Sequence, residues 1–204
     1  AEEAMRKGAK VTVVAANVAL PDPAGTKVTR VVSAREMHDA VLAAAETADA
    51  VVMAAAVADY RPAARSAAKI KKDGQPPEPL RLTENPDILA GLATARKARE
   101  AARSAHDPER AGLVPPPAHQ VLVGFAAETD TSPEQARAKL ARKGCDLLVV
   151  NPVGNGLGFG TPDNEAVVYG ADGTVTPVSR GPKEALADVV WDLVAARLSE
   201  SPAD

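Results

Sequence analysis

Aromatic side chains are almost absent from this chain of 204 residues: two Phe, two Tyr and one Trp. A core must therefore be built from Ala, Val and Leu, for which the 46% apolar content is ample. A single cysteine excludes an internal disulfide and fits a reducing, cytoplasmic compartment. No uninterrupted run of about 18 apolar residues occurs, so no membrane span is expected. No signal peptide precedes the first strand. Basic residues are not in excess: 24 Lys and Arg stand against 27 Asp and Glu, a net charge of −3. That balance argues against a duplex nucleic-acid binder, so any anion site must be a local basic cluster. No G-x-G-x-x-G follows a strand and no Walker A lysine follows the glycines at 154–160. The three histidines lack metal-ligand spacing. The length fits one domain over 1–204.

What is present is an alternation of strands and helices. Residues 1–8 read as a helix tail stopped by Gly8, with acids early and bases late. Strands are expected at 10–16, 27–32, 50–57, 80–83, 120–125 and 146–151. The apolar run at 50–57 suits a parallel strand buried on both faces. Ser33 and Glu36 have capping-box spacing for a helix to about Glu46. Asn85 and Pro86 suit the cap and first turn of another, and Ser132-Pro133 open a third, ending at Lys143. Residues 96–118, rich in Ala, Arg and Pro, read as a helix extension plus a surface insertion. Asp172-Gly173 centre a hairpin, and 182–198 form a last helix. The pattern specifies an α/β, Rossmann-like doubly wound, mostly parallel sheet with a small carboxyl-terminal β-hairpin. It opens on a helix tail, without the fold's usual first strand.

Residues 54–62, AAAVADYRP, leave a buried strand and end in Asp59, an aromatic and a base. Ten residues after Asp59 comes Lys69-Ile70-Lys71-Lys72. In open α/β sheets the carboxyl ends of the strands are where ligands bind, and ammonium groups suit phosphoryl oxygens. Taken alone, each feature has a plain reading: Asp59 as a strand-end cap, the lysine run as a solvated loop, Phe125 as core. Lys139 and Lys143, four apart, share one helix face.

Together with GAKVTVVAANVAL, KIKK, LTENPDILAGL, VGFAAET, ARAKLARKGCDLLVVNPV and FGTPDNEAVVY, these stretches occur in one order over most of residues 8–170. In them the chain resembles bacterial phosphopantothenoylcysteine synthetase, the CTP-dependent ligase half of a bifunctional coenzyme A biosynthesis enzyme. The resemblance implies ligation of 4'-phosphopantothenate with cysteine through an acyl-cytidylate, with CTP as co-substrate and Mg²⁺. It implies a homodimer and a fused or associated flavin-dependent decarboxylase, with the flavin in that half. Members begin with a strand, a Gly-Gly-Thr turn and an Asn-Arg-Ser-Ser-Gly-Lys-type loop, and none of these is present. The resemblance assigns Asp59 and Lys69 to catalysis. It assigns Asp59, Lys69, Asn85, Pro86, Asp87, Ile88, Phe125, Lys139 and Lys143 to the nucleotide. No protein metal ligand follows from it, although Asp59, Asp87 and Glu128 could approach a cation. A nucleotide-binding but catalytically incompetent fragment and a nicotinamide oxidoreductase are the competing readings.

Overall fold

The computed structural model describes residues 1–66, 68–71, 79–104, 119–129, 132–154 and 160–200. In chain order the elements are α1 (Glu2–Arg6), β1 (Thr12–Ala15), β2 (Lys27–Arg30), α2 (Ala34–Ala45), β3 (Ala50–Met53), β4 (Tyr60–Pro62) and β5 (Leu82–Glu84). They continue as α3 (Ile88–Ser104), β6 (Val121–Glu128), α4 (Pro133–Lys143), β7 (Leu147–Pro152), β8 (Asp163–Gly170), β9 (Val175–Pro182) and α5 (Lys183–Ser199). The sheet is doubly wound and mostly parallel, as the alternation of elements requires. Its main part runs β3-β6-β7-β8-β9, parallel from β3 to β7 and closed by the antiparallel β8-β9 hairpin. Parallel β1-β2 form a separate ladder, and β4-β5 pair antiparallel. Among the described residues nothing bridges β1 and β3, so each keeps one unpaired edge. The two ladders nonetheless share a core: Val14 and Val31 pack with Val51 and Met53 over α2 and α3.

Alternation along the strands divides that interior in two. Leu122, Ala126 and Leu148 point to one face, where α2, α3 and α4 supply Met37, Leu92 and Leu140. Val121, Val123, Leu147 and Val149 point to the other, under Leu186, Val190 and Val194 of α5. Val121, Leu122 and Val123 are fully buried. Each such side chain contributes about 1.5–3 kcal/mol by leaving water.

Both serine-capped helices form as their sequences direct. Ser33 accepts from the Glu36 amide while Glu36 returns a bond to the Ser33 amide, and Ser132 and Gln135 repeat the box on α4. Gly144 then ends α4 in the left-handed region, at φ 65°. The expected cap at Asn85 is corrected. Helix α3 starts at Ile88, and it is the Asp87 carboxylate that accepts from the Ala90 amide at 3.1 Å. Pro86 therefore precedes the helix, and Asn85 turns back to donate to the Ala58 carbonyl at 2.8 Å. β4 is an addition that three residues of YRP do not reveal. Helix α3 runs on to Ser104, while 105–118 lie outside the described residues.

The amino ends of the central strands are tied by a polar clamp. Asp146 accepts from the Leu122 amide at 2.7 Å and from Arg96. Arg96 also donates to the Gln120 and Gly144 carbonyls at 2.8 and 3.1 Å. The buried Gln120 amide donates to the Ala45 and Ala48 carbonyls. Buried polar groups are costly unless bonded, and here they are bonded.

Leu122→Ala is expected to destabilise the fold by about 2–5 kcal/mol, because a fully enclosed leucine leaves a cavity. Urea unfolding checks this through a lowered midpoint at unchanged slope.

Candidate functional site

The opposite, carboxyl edge of the sheet is open. β3 pairs with β6 only as far as Met53 and Gly124, whereas β7 follows β6 to Glu128 and Pro152. Beyond Gly124 the β3-facing side of β6 is therefore released. The chain peels away there through exposed Ala54, Ala55 and Ala56 toward Asp59. Divergence of neighbouring strands at their carboxyl ends makes the crevice in which open α/β sheets hold ligands.

Three elements converge on this edge. The β4-β5 hairpin follows β3, with Tyr60 opposite Glu84 and Pro62 opposite Leu82. Its connection carries Lys69 and Lys71, both solvent-exposed, while Lys72 lies outside the described residues. The turn after β5 is fastened to the AAAVADYRP segment. The Asn85 amide donates to the Asp59 carbonyl at 2.7 Å, and Arg61 donates to the Asn85 side-chain oxygen at 3.1 Å. Asn85 and Pro86 also line a cleft of about 560 Å³ shared with Arg35, His38 and Arg61. Helix α4, finally, presents Lys139 and Lys143 on its half-buried side.

Both of those lysines are ion-paired across elements. Lys143 Nζ lies 2.5 Å from Asp87 Oδ2, and Lys139 Nζ lies 2.5 Å from Glu128 Oε1. Burial works to raise the Asp87 carboxyl. The Lys143 ammonium, the Ala90 amide and the charge of Arg142 outweigh it and hold that carboxyl below its usual range. Ile88, next to Asp87, is buried in the core under β6, so its side chain is packing and only its backbone can face the edge.

The structure thus joins Asp59 to Asn85 through the backbone and Asp87 to Lys143 through their charges. It leaves Lys69 exposed on its connection. Phe125 is corrected in place: β6 continues to Glu128, so Phe125 sits three residues inside the strand. Its side chain is half-buried on the α5 face, packed with the second core. Cys145 is buried beside β7, and burial pushes its thiol up to about 11, which suits inert packing. Arg61 is a partner that the sequence reading did not assign to the site, and Glu128 was named there only as an acid that could approach a cation. Glu128 is separated from Lys139 by most of a loop and two helical turns, so only the tertiary fold brings them together. For Arg61, its place in a strand paired with residue 83 was the hidden signal.

The family model for the DNA/pantothenate metabolism flavoprotein C-terminal domain matches residues 1–103 and 112–198. The chain belongs to that family. It is 43% identical over 204 residues to the coenzyme A biosynthesis bifunctional protein CoaBC of Mycobacterium tuberculosis, covering 98% of this chain and 45% of that protein. To CoaBC of Escherichia coli K12 it is 36% identical, with the same coverage. This family member therefore spans about half the length of the curated relatives it matches. A crystal structure of the C-terminal domain of a CoaBC superposes with a TM-score of 0.71 at 27% identity, over 98% of this chain and 80% of the other. The DNA/pantothenate metabolism flavoprotein of Streptococcus pneumoniae shares the fold, with a TM-score of 0.68 at 15% identity over 96% and 85% of the two chains.

Lys143 holds the Asp87 carboxyl below its unfolded value, so this pair stabilises the fold above the unfolded pKa of about 3.9 and that stabilisation is lost as pH falls through the lower folded value. Asp87→Asn should flatten the fall in stability between pH 5 and lower pH, as read by thermal melting across that range. An unchanged acid limb in the variant would contradict the assignment.

Proposed function

We propose that the chain carries the CTP-dependent ligation of 4'-phosphopantothenate with cysteine, giving phosphopantothenoylcysteine in coenzyme A biosynthesis. The observation that carries this reading is the reach of two α4 lysines to groups at the carboxyl side of the sheet: Lys139 pairs with Glu128 at the end of β6, and Lys143 pairs with Asp87 in the turn before α3. The 43% and 36% identity to CoaBC proteins supports the substrate class.

In the proposed reaction the pantothenate carboxylate attacks the α-phosphorus of CTP and pyrophosphate leaves. The cysteine amine then attacks the acyl carbon, losing a proton, and CMP departs with the electron pair of the broken acyl–phosphate bond. The protein's contribution is positioning and charge neutralisation. Lys139 and Lys143 hold phosphoryl oxygens. Lys69, on the connection between β4 and β5, swings onto the phosphates and acyl group as that connection closes. Asn85, Pro86 and Asp87 present the turn before α3 to the nucleotide, with Asp59 beside it contacting ribose, base or cation. Phe125 would reach the nucleotide only from the α5 face of β6, where its side chain packs.

Mg²⁺ suits the hard carboxylate oxygens here. Among the described residues no group of three or more His, Cys, Asp or Glu forms a cage. Asp87 and Glu128 would hold the cation jointly with the phosphates, and it would supply further charge neutralisation. The proposal extends to a homodimer in the cytoplasm, working with a fused or associated flavin-dependent decarboxylase. No helix among the described residues is long and apolar enough to cross a membrane. A nucleotide-binding, non-catalytic role is the second reading, and the unpaired edges of β1 and β3 beside the site favour weighing it.

Turnover of CTP, 4'-phosphopantothenate and cysteine to CMP and pyrophosphate tests the proposal. Lys69→Gln should lower that rate by about tenfold or more while the melting temperature stays within about two degrees, since the residue is exposed. CTP binding without turnover would favour the second reading. A folded Lys69→Gln variant with full activity would remove Lys69 from the mechanism.

A further inference from the structure

One guanidinium joins the β4-β5 hairpin to the turn before α3. Arg61 lies half-buried in β4. Its Nη1 nitrogen donates to the Glu84 carbonyl of β5 and to the Asn85 side-chain oxygen, the latter at 3.1 Å. The second bond decides which way the Asn85 carboxamide faces. With its oxygen held by Arg61, its Nδ2 donates to the Ala58 carbonyl at 2.8 Å, and the backbone amide of the same residue donates to the Asp59 carbonyl at 2.7 Å. These four bonds close a ring from the chain leaving β3, through the hairpin, to the turn. Local sequence stiffens the ring. Arg61 precedes Pro62 and Asn85 precedes Pro86, and the residue before a proline is biased toward extended backbone. The same ring sits at the base of the connection that carries Lys69 and Lys71. Just beyond it the Ala63 amide donates to the Arg81 carbonyl at 2.9 Å.

We propose that Arg61 is a positioning residue of the nucleotide site and acts through Asn85. It sets the Asn85 carboxamide, and the carboxamide holds the Asn85-Pro86-Asp87 turn against the chain at Ala58 and Asp59. The inference rests on the reading of that turn as a nucleotide contact. Arginine suits the task, because its guanidinium is planar, always charged and presents its donors at fixed angles. A lysine could reach the same oxygens, but its flexible ammonium would not fix the angle of the carboxamide. Without the guanidinium, the Asn85 oxygen loses its donor and the carboxamide is free to rotate. The turn is then held to the β3 exit by the backbone bond to Asp59 alone. A ligand must order it on binding, and that ordering costs affinity.

Two measurements on the full chain test this. The first needs no ligand: the Asn85 side-chain amide protons should exchange with water slowly in the wild type and severalfold faster in Arg61→Gln. The second is calorimetric titration with CTP and Mg²⁺. Arg61→Gln should weaken CTP binding roughly threefold to tenfold, the range for losing one hydrogen bond from a charged donor. Arg61→Lys should restore part of that loss, and Asn85→Ala should weaken binding at least as much as Arg61→Gln. Because Arg61 acts through Asn85, the double variant should bind within about twofold of Asn85→Ala alone. Should Arg61→Gln melt early, Arg61→Lys takes its place in the cycle. Single losses that multiply in the double variant would show Arg61 acting independently of Asn85 and overturn the inference. Unchanged Asn85 exchange, or CTP affinity equal to that of the wild type in Arg61→Gln, would also overturn it while the nucleotide reading stands. A wild type that binds no CTP would overturn both.

Discussion

Strand β6 is packed on both faces, and the rest of the molecule is arranged around that constraint. Val121 and Val123 are committed to the α5 core and Leu122 and Ala126 to the opposite one. A slip of one residue would send every one of them to the wrong face. The register of β6 against β3 and β7 is therefore fixed by packing, and so is the point where β3 stops at Gly124 while β7 continues to Glu128. The crevice, the packing of Phe125 toward α5 and the position of Glu128 beside α4 all follow from that register.

The two ends of the same strand use charge in opposite ways. At the amino end, Asp146, Arg96 and Gln120 satisfy one another and the surrounding backbone. Such a closed network holds strands and helices together and has no capacity left for a ligand. At the carboxyl end, the ion pairs link a helix to a turn and a helix to a strand, and their heads stay partly in water. Open parallel sheets allow their two edges to differ in this way, because all their strands finish on one side.

Much of the fold was legible in the residues. Capping boxes at Ser33 and Ser132 are local, one-turn signals, and both helices obey them. Near-continuous apolar runs gave the central strands, since a strand buried on both faces leaves an unbroken run. Three features were not legible, each for a tertiary reason. Asn85 satisfies a capping pattern but is recruited by Ala58 and Arg61, so Asp87 takes over the cap two residues later. Phe125 looked like a strand end because the small residues Ala126 and Ala127 carry weak strand signal, yet β7 draws them into the ladder. β4 is too short to show a period and exists because β5 returns to pair with it. At the site, lysines and acids could be picked out by type and position, but their pairing could not. Contacts between Lys143 and Asp87 span 56 residues of chain, and no local pattern encodes such a separation.

The account's central claim is that a nucleoside triphosphate occupies the carboxyl edge of β3, β6 and β7, between α4 and the turn before α3. Amide chemical-shift mapping of the full chain, titrated with CTP and Mg²⁺, tests it most directly. The account predicts shifts clustered at Asp59, Asn85, Asp87, Glu128 and the face of α4 bearing Lys139 and Lys143, with the clamp at Arg96, Gln120 and Asp146 unmoved. Shifts centred on that clamp or on α5, or no shifts at all, would contradict it.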